Sequence, residues 1–121
     1  YLMPTETPKA DCLFCKIIAR EIPAQLVFED DRAVVFKDIN PQAPTHVLIV
    51  PRRHIAGLAE SRDEDAALLG HLQRVAARIA GEGGLDGGYR LVTNNGRGAG
   101  QSVDHLHYHL LGGRLMKWPP G

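Results

Sequence analysis

Residues 105 to 109 read His105-Leu106-His107-Tyr108-His109, an imidazole at every second position. In a β-strand successive side chains alternate faces, so the three rings would share one face, spaced roughly 7 Å apart. Leu106, Tyr108 and Leu110 would then pack on the other. Imidazole can serve as nucleophile, as general acid or base, or as metal ligand. A merely solvated strand face accounts poorly for three histidines at period two in a chain with six. Metal binding competes with catalysis, because His-x-His on a strand presents two nitrogens to one ion.

Two further groups could do chemistry. Asn95-Gly96-Arg97-Gly98-Ala99-Gly100 precedes the histidines. It lacks the G-x-G-x-x-G spacing and leads to a strand, not a helix, which excludes a dinucleotide fingerprint. Its flexible backbone, with Gln101 and Ser102, can still cradle a phosphate through N–H groups, although a plain hairpin loop accounts for it about as well. Cys12-x-x-Cys15 has three readings. A thioredoxin-type redox pair needs a strand before it and a long helix after it, and neither is present. Inert thiols remain open, and so does half of a structural zinc site, which would need two more ligands.

These groups must be held by ordinary elements. Asp11 is placed to cap a short helix carrying Leu13, Phe14, Ile17 and Ile18, stopped by Pro23. Leu26-Val27-Phe28 and Ala33-Val34-Val35-Phe36 flank a polar turn and read as a hairpin. His46-Val47-Leu48-Ile49-Val50 reads as a central strand between proline-bounded ends. Ser61 and Glu64 match a capping box. Leu68, Leu72, Val75 and Ile79 then form one face of a long helix that ends at Gly81, Gly83 and Gly84. His71 falls off that face and is expected at the surface. Tyr89–Thr93 and Leu106–Leu111 complete five strands, and the whole reads as an α+β meander.

The 121 residues hold 14 Lys+Arg against 14 Asp+Glu, for no net charge. No electrostatic excess exists to drive broad adhesion to nucleic acid or an anionic membrane. Hydrophobic residues at 44% and charged residues at 23% describe a globular chain. The apolar runs are too short for a membrane span or a secretory signal, and two cysteines make no secreted disulfide framework, so the cytoplasm is expected. Residues 1–10, with Pro4 and Pro8, are expected to be a loose arm before a single domain over 11–121.

Gly100-Gln101-Ser102-Val103 followed by His105-Leu106-His107-Tyr108-His109-Leu110-Leu111 resembles the signature of the histidine triad superfamily. Pro44-Thr45-His46-Val47-Leu48-Ile49-Val50-Pro51, Gly112-Gly113-Arg114 and the ending Trp118-Pro119-Pro120-Gly121 resemble its nucleotide-binding branch. The resemblance covers residues 11–121. It implies an α+β fold with a five-stranded antiparallel sheet, one long and one short helix, and a homodimer that joins two sheets. It also implies a purine nucleoside phosphoramidase that hydrolyses the P–N bond of adenosine or guanosine 5'-monophosphoramidates and releases AMP or GMP and an amine.

In that reading His107 is the nucleophile and passes through a nucleotidyl-histidine intermediate. His109 contacts the phosphate, His46 completes the cluster, and Ser102 donates toward the departing amine. Asn94, Gly100, Gln101 and Val103 orient the phosphate, and Asp38 accepts the ribose hydroxyls. Phe14, Ile22, Phe36 and Ile39 enclose the base, while Trp118 of a partner subunit meets the leaving group. For bacterial members with this cysteine pair, the resemblance supplies His54, from Pro51-Arg52-Arg53-His54, and His105 as the remaining ligands. Zinc would be structural and unnecessary for chemistry at His107. The rival readings are a non-catalytic nucleotide-binding module that regulates a partner, and a metalloenzyme with zinc on the three triad histidines.

Overall fold

The computed structural model describes residues 9–121, so most of the expected arm, residues 1–8, lies outside the described residues. A short helix α1 (Leu13–Ile18) precedes strands β1 (Leu26–Glu29), β2 (Ala33–Lys37) and β3 (Thr45–Pro51). A long helix α2 (Ala66–Glu82), β4 (Tyr89–Val92) and β5 (Tyr108–Gly112) follow. All strand pairs are antiparallel, in the order β1-β2-β3-β5-β4. The expected meander therefore fails in its second half. Both β3 and β4 run antiparallel to β5, hence parallel to each other, and a link between parallel strands must cross over the sheet. Helix α2 is part of that crossover.

Burial explains why β2 and β3 read as continuous apolar runs. Ala33, Val35, Val47 and Ile49 pack with Leu72, Val75, Ala76 and Ile79 of α2. Val34, Phe36, Leu48 and Val50 pack on the opposite face with Cys12, Phe14, Cys15 and Ile17 of α1. A sheet covered on both faces needs apolar residues at every position, not every second one. Leu106, Tyr108 and Leu110 join the α2 cluster as expected. The three histidines are left for the α1 side.

Local signals shift by a residue or more from the sequence reading. Cys12, not Asp11, caps α1, its Sγ accepting from the Cys15 N–H at 3.3 Å. The helix ends before Pro23, where Arg20 adopts φ 63°. The capping interaction ahead of α2 runs from the Arg62 N–H to the Asp65 carboxylate at 2.8 Å, not between Ser61 and Glu64. Asp65 is fully buried because its carboxylate also pairs with Arg53. His71 is not a free surface residue: its Nε2 lies 2.7 Å from Asp30 Oδ2 and ties α2 to the β1–β2 turn. Among the described residues, no helix is long and apolar enough to cross a membrane.

Candidate active site and metal centre

The β5 strand begins only at Tyr108, so His105 and His107 lie in the irregular segment leading into it and His109 lies within it. The three rings do not converge on one point. Each has its own partner, and the partners set the tautomers.

His107 donates from Nδ1 to the His105 carbonyl oxygen at 2.7 Å. With the proton held there, Nε2 keeps its lone pair. The ring is 5% exposed, and burial holds its pKa below the usual imidazole value. It is a neutral base with one free nitrogen, which is the form a nucleophile requires. Thr93 Oγ1 donates to the His107 carbonyl at 2.8 Å, a clamp on the main chain that the sequence reading missed.

A relay sets the third triad histidine. The Gln42 main-chain N–H donates to His46 Nδ1 at 3.0 Å, which leaves the His46 proton on Nε2. That Nε2 lies 2.9 Å from His109 Nδ1 and donates to it. His109 must then carry its own proton on Nε2, available to an anion. Burial, then the neighbouring His107 and His46, push its pKa down to about 4. Asp38 Oδ2 stands 3.5 Å from His46 Nε2, and Asp38 Oδ1 accepts from the Asn40 N–H at 2.8 Å.

A cleft of about 360 Å³ opens over these rings. Phe14, Ile22, Phe36 and Ile39 form its apolar walls, Asp38 one rim, and Ser102, Val103, His107 and His109 its polar end. The fold thus brings nine of the sequence-designated residues to one space. His46 lies behind His109. Gln101 is buried with its side chain spent on the fold: Oε1 accepts from Gly96 N–H, and Nε2 donates to the Ala56 and Val103 carbonyls. The amides of Gly100 and Gln101 also close the turn, donating to Arg97 and Gly96 oxygens. Gly100 adopts φ +94°, which favours glycine, and a Cβ there would stand 4.0 Å from Asn94 Nδ2. Asn94, Gly100 and Gln101 do not line the cleft, and Trp118 stands 81% exposed on the C-terminal tail.

His105 faces away from the cleft. Its Nε2 donates to the Pro51 carbonyl at 2.8 Å, which turns the Nδ1 lone pair toward Cys12 Sγ at 3.3 Å and Cys15 Sγ at 3.6 Å. His54 Nδ1 lies 3.4 Å from Cys15 Sγ, and all four donor atoms fall within 4.8 Å of one another. Tetrahedral zinc with ordinary Zn–S and Zn–N bonds requires S···N separations of about 3.6 Å. The residues therefore fit a zinc ion. Burial pushes the Cys15 thiol up to about 11, a cost that a bound cation reverses by stabilising the thiolate. With His105 committed here, the triad does not form a three-histidine metal site.

An antiparallel sheet covered on both faces, with a hydrogen-bonded histidine cluster over an apolar cleft, defines a histidine triad class of protein. The HIT domain family matches residues 19–116, and the chain belongs to that family. It is 54% identical over 111 residues to an uncharacterised HIT-like protein of Synechococcus elongatus, covering 92% of this chain and 97% of that one. It is 50% identical over 111 residues to a 14 kDa zinc-binding protein of Zea mays, covering 90% of this chain and 87% of that one. A HIT family hydrolase from Legionella pneumophila superposes with a TM-score of 0.90 at 54% identity, covering 92% of this chain and all of that one. The family and these neighbours support a hydrolase.

Proposed function

We propose that this protein is a purine nucleoside phosphoramidase. The single observation that carries the reading is the hydrogen-bond pattern around the cleft histidines, which leaves a lone pair on His107 Nε2 and a proton on His109 Nε2. One attacks an electrophile and the other holds an anion. A purine suits the edge formed by Phe14 and Phe36, whose centroids lie 5.4 Å apart, and the Asp38 carboxylate suits ribose hydroxyls.

In the first step His107 Nε2 attacks phosphorus and the P–N bond breaks. The amine leaves with a proton supplied through Ser102 and His109, while His107 keeps its proton on Nδ1, donated to the His105 carbonyl. Water then attacks the nucleotidyl-His107 phosphorus, gives up a proton to the cluster, and releases AMP or GMP with His107 restored. Val103, at the polar end of the cleft, would steady the phosphate, with Asn94 and Gly100 shaping the loop outside it. Zinc at Cys12, Cys15, His54 and His105 supplies a crosslink between elements, and no bond changes on it. Reduced thiols of this kind suit the cytosol.

A second copy completes the molecule in this reading. Among the described residues the β4 edge is unpaired on one side, whereas the β1 edge is broken by a register shift between Leu26 and Phe28. Regular open edges invite pairing, so two sheets would join along β4, and the exposed Trp118 of each copy would reach the other's cleft. The test of the reading is hydrolysis of a fluorogenic tryptamine adenosine phosphoramidate, with and without chelator. Turnover that persists with chelator and disappears in His107→Gly supports it, and a wild-type protein without turnover contradicts it.

A further inference from the structure

The Cys/His cluster and the nucleophile share a residue. The His105 ring belongs to the cluster, while its carbonyl oxygen holds the His107 Nδ1 proton at 2.7 Å. Outside the strand ladders this segment is anchored on one side by Leu106, buried in the α2 core, and on the other by a few polar contacts. The β4–β5 ladder stops at Val92↔His109 and the β3–β5 ladder at Ile49↔Tyr108, so residues 105–107 lie outside both. They are held by the Leu106 N–H to the Ile55 oxygen, by the Thr93 hydroxyl, and by the His105 ring.

A second connection runs through α1. Cys12 caps that helix with the Sγ that also faces His105. Two residues on, Phe14 is 4% exposed and packs edge-on against both His105 and His107, with centroids 5.9 and 5.1 Å away. The cluster thus binds the start of α1, the segment after β3 and the triad segment together, directly behind the nucleophile.

We propose that the Cys12, Cys15, His54 and His105 cluster, when it holds its cation, positions the nucleophile. By tying α1 to His105 it fixes the carbonyl that keeps His107 in its Nδ1–H tautomer and the Phe14 ring that keeps its plane. These four are positioning residues and do not touch substrate. A histidine tautomer is set by the hydrogen bond its other nitrogen makes, so loosening His105 frees the His107 proton to move to Nε2 and block the lone pair. A cation that only stapled the fold would leave that tautomer unchanged. The proposal rests on the hydrolase reading for its rate effects and not for its effect on the tautomer.

The experiment compares zinc-loaded wild type with Cys12→Ser, His54→Ala and the core variant Leu72→Ala, at a temperature where circular dichroism shows all of them folded. Leu72 is fully buried against the sheet, away from the cleft, and its truncation lowers stability without touching the cluster. The readouts are kcat and KM on a minimal adenosine phosphoramidate, and the long-range proton–nitrogen spectrum of the His107 imidazole. The expected result is a kcat lower by about tenfold or more in both ligand variants, with KM within about threefold, against a kcat within about twofold of wild type for Leu72→Ala. The His107 nitrogens change from the separated pattern of a fixed Nδ1–H tautomer to an averaged one. Folded ligand variants with the fixed tautomer and wild-type kcat would overturn the proposal. If Cys12→Ser does not fold, His54→Ala and the chelated wild type decide by the same two readouts. If wild type itself hydrolyses no phosphoramidate, the hydrolase reading fails while the tautomer comparison still decides the coupling.

Discussion

His46 and His109 are diagonal neighbours across the β3–β5 ladder: His46 pairs with Leu111, His109 pairs with Leu48, and the two rings meet at 2.9 Å. Antiparallel register brings such diagonal side chains within reach on one face of the sheet. The proton on His109 Nε2 therefore depends on a residue 63 positions earlier and, through Gln42, on the loop before it. Removing the His46 ring frees His109 to adopt either tautomer. His46→Ala is expected to lower kcat by on the order of tenfold while AMP affinity, read by calorimetry, changes by less than about threefold.

Asp38 sits at the cleft rim, Oδ1 accepting from Asn40 and Oδ2 3.5 Å from His46 Nε2, and its carboxylate borders the space proposed for ribose. Asp38→Ala removes a charged acceptor without touching the nucleophile. AMP binding should weaken by about 1–3 kcal/mol, measured by calorimetry. An unchanged dissociation constant would remove Asp38 from the binding site.

Burial, with His107 and His46 beside it and Asp38 opposing them, holds His109 at about 4. An unfolded imidazole takes its proton near pH 6.5. Between these values the unfolded chain binds a proton that the folded chain refuses, so stability rises with pH. The contribution is fully present above about 6.5 and is lost as pH falls toward about 4. Urea midpoints should therefore drop between pH 7 and pH 5, and by less in His109→Ala than in wild type. In kcat/KM the acid limb should lie below the ordinary histidine range, because burial also lowers the His107 pKa.

Protein purified without chelator should carry about one zinc per chain by elemental analysis, as a complete Cys₂His₂ donor set predicts. Removal of the metal should lower the melting temperature, because the binding free energy of such a site is folding free energy. Metal-free protein with an unchanged melting temperature would show the cluster to be held by hydrogen bonds alone.

Much of this architecture was legible from periodicity. Leu72, Val75 and Ile79 marked α2, the alternation at 105–110 separated the imidazoles from Leu106, Tyr108 and Leu110, and the hairpin turn at Glu29–Arg32 fell where its polarity placed it. What escaped the sequence was set by contacts between distant residues. The position of β5 between β3 and β4 is a matter of sheet pairing, on which local pattern is silent. Cys12 rather than Asp11 stands at the cap position, and its sulfur also faces His105, ninety-three positions away. Gln101 stands in a phosphate-loop pattern, yet its amide is consumed by Gly96, Ala56 and Val103. His71 finds Asp30 only because α2 crosses the hairpin. The split of the triad, with His105 facing the cysteines and His107 and His109 facing the cleft, came from family resemblance. No rule of spacing distinguishes His105 from His107.

Covalent chemistry at His107 is tested by rapid-quench mass spectrometry of the protein mixed with an adenosine phosphoramidate. A transient adduct of one adenylyl group, mapped to the peptide containing His107, should form and decay at rates consistent with kcat. His107→Gly should form none and turn over nothing while still binding AMP within about tenfold of wild type. Near-full turnover by His107→Gly, or an adduct on another residue, would contradict it.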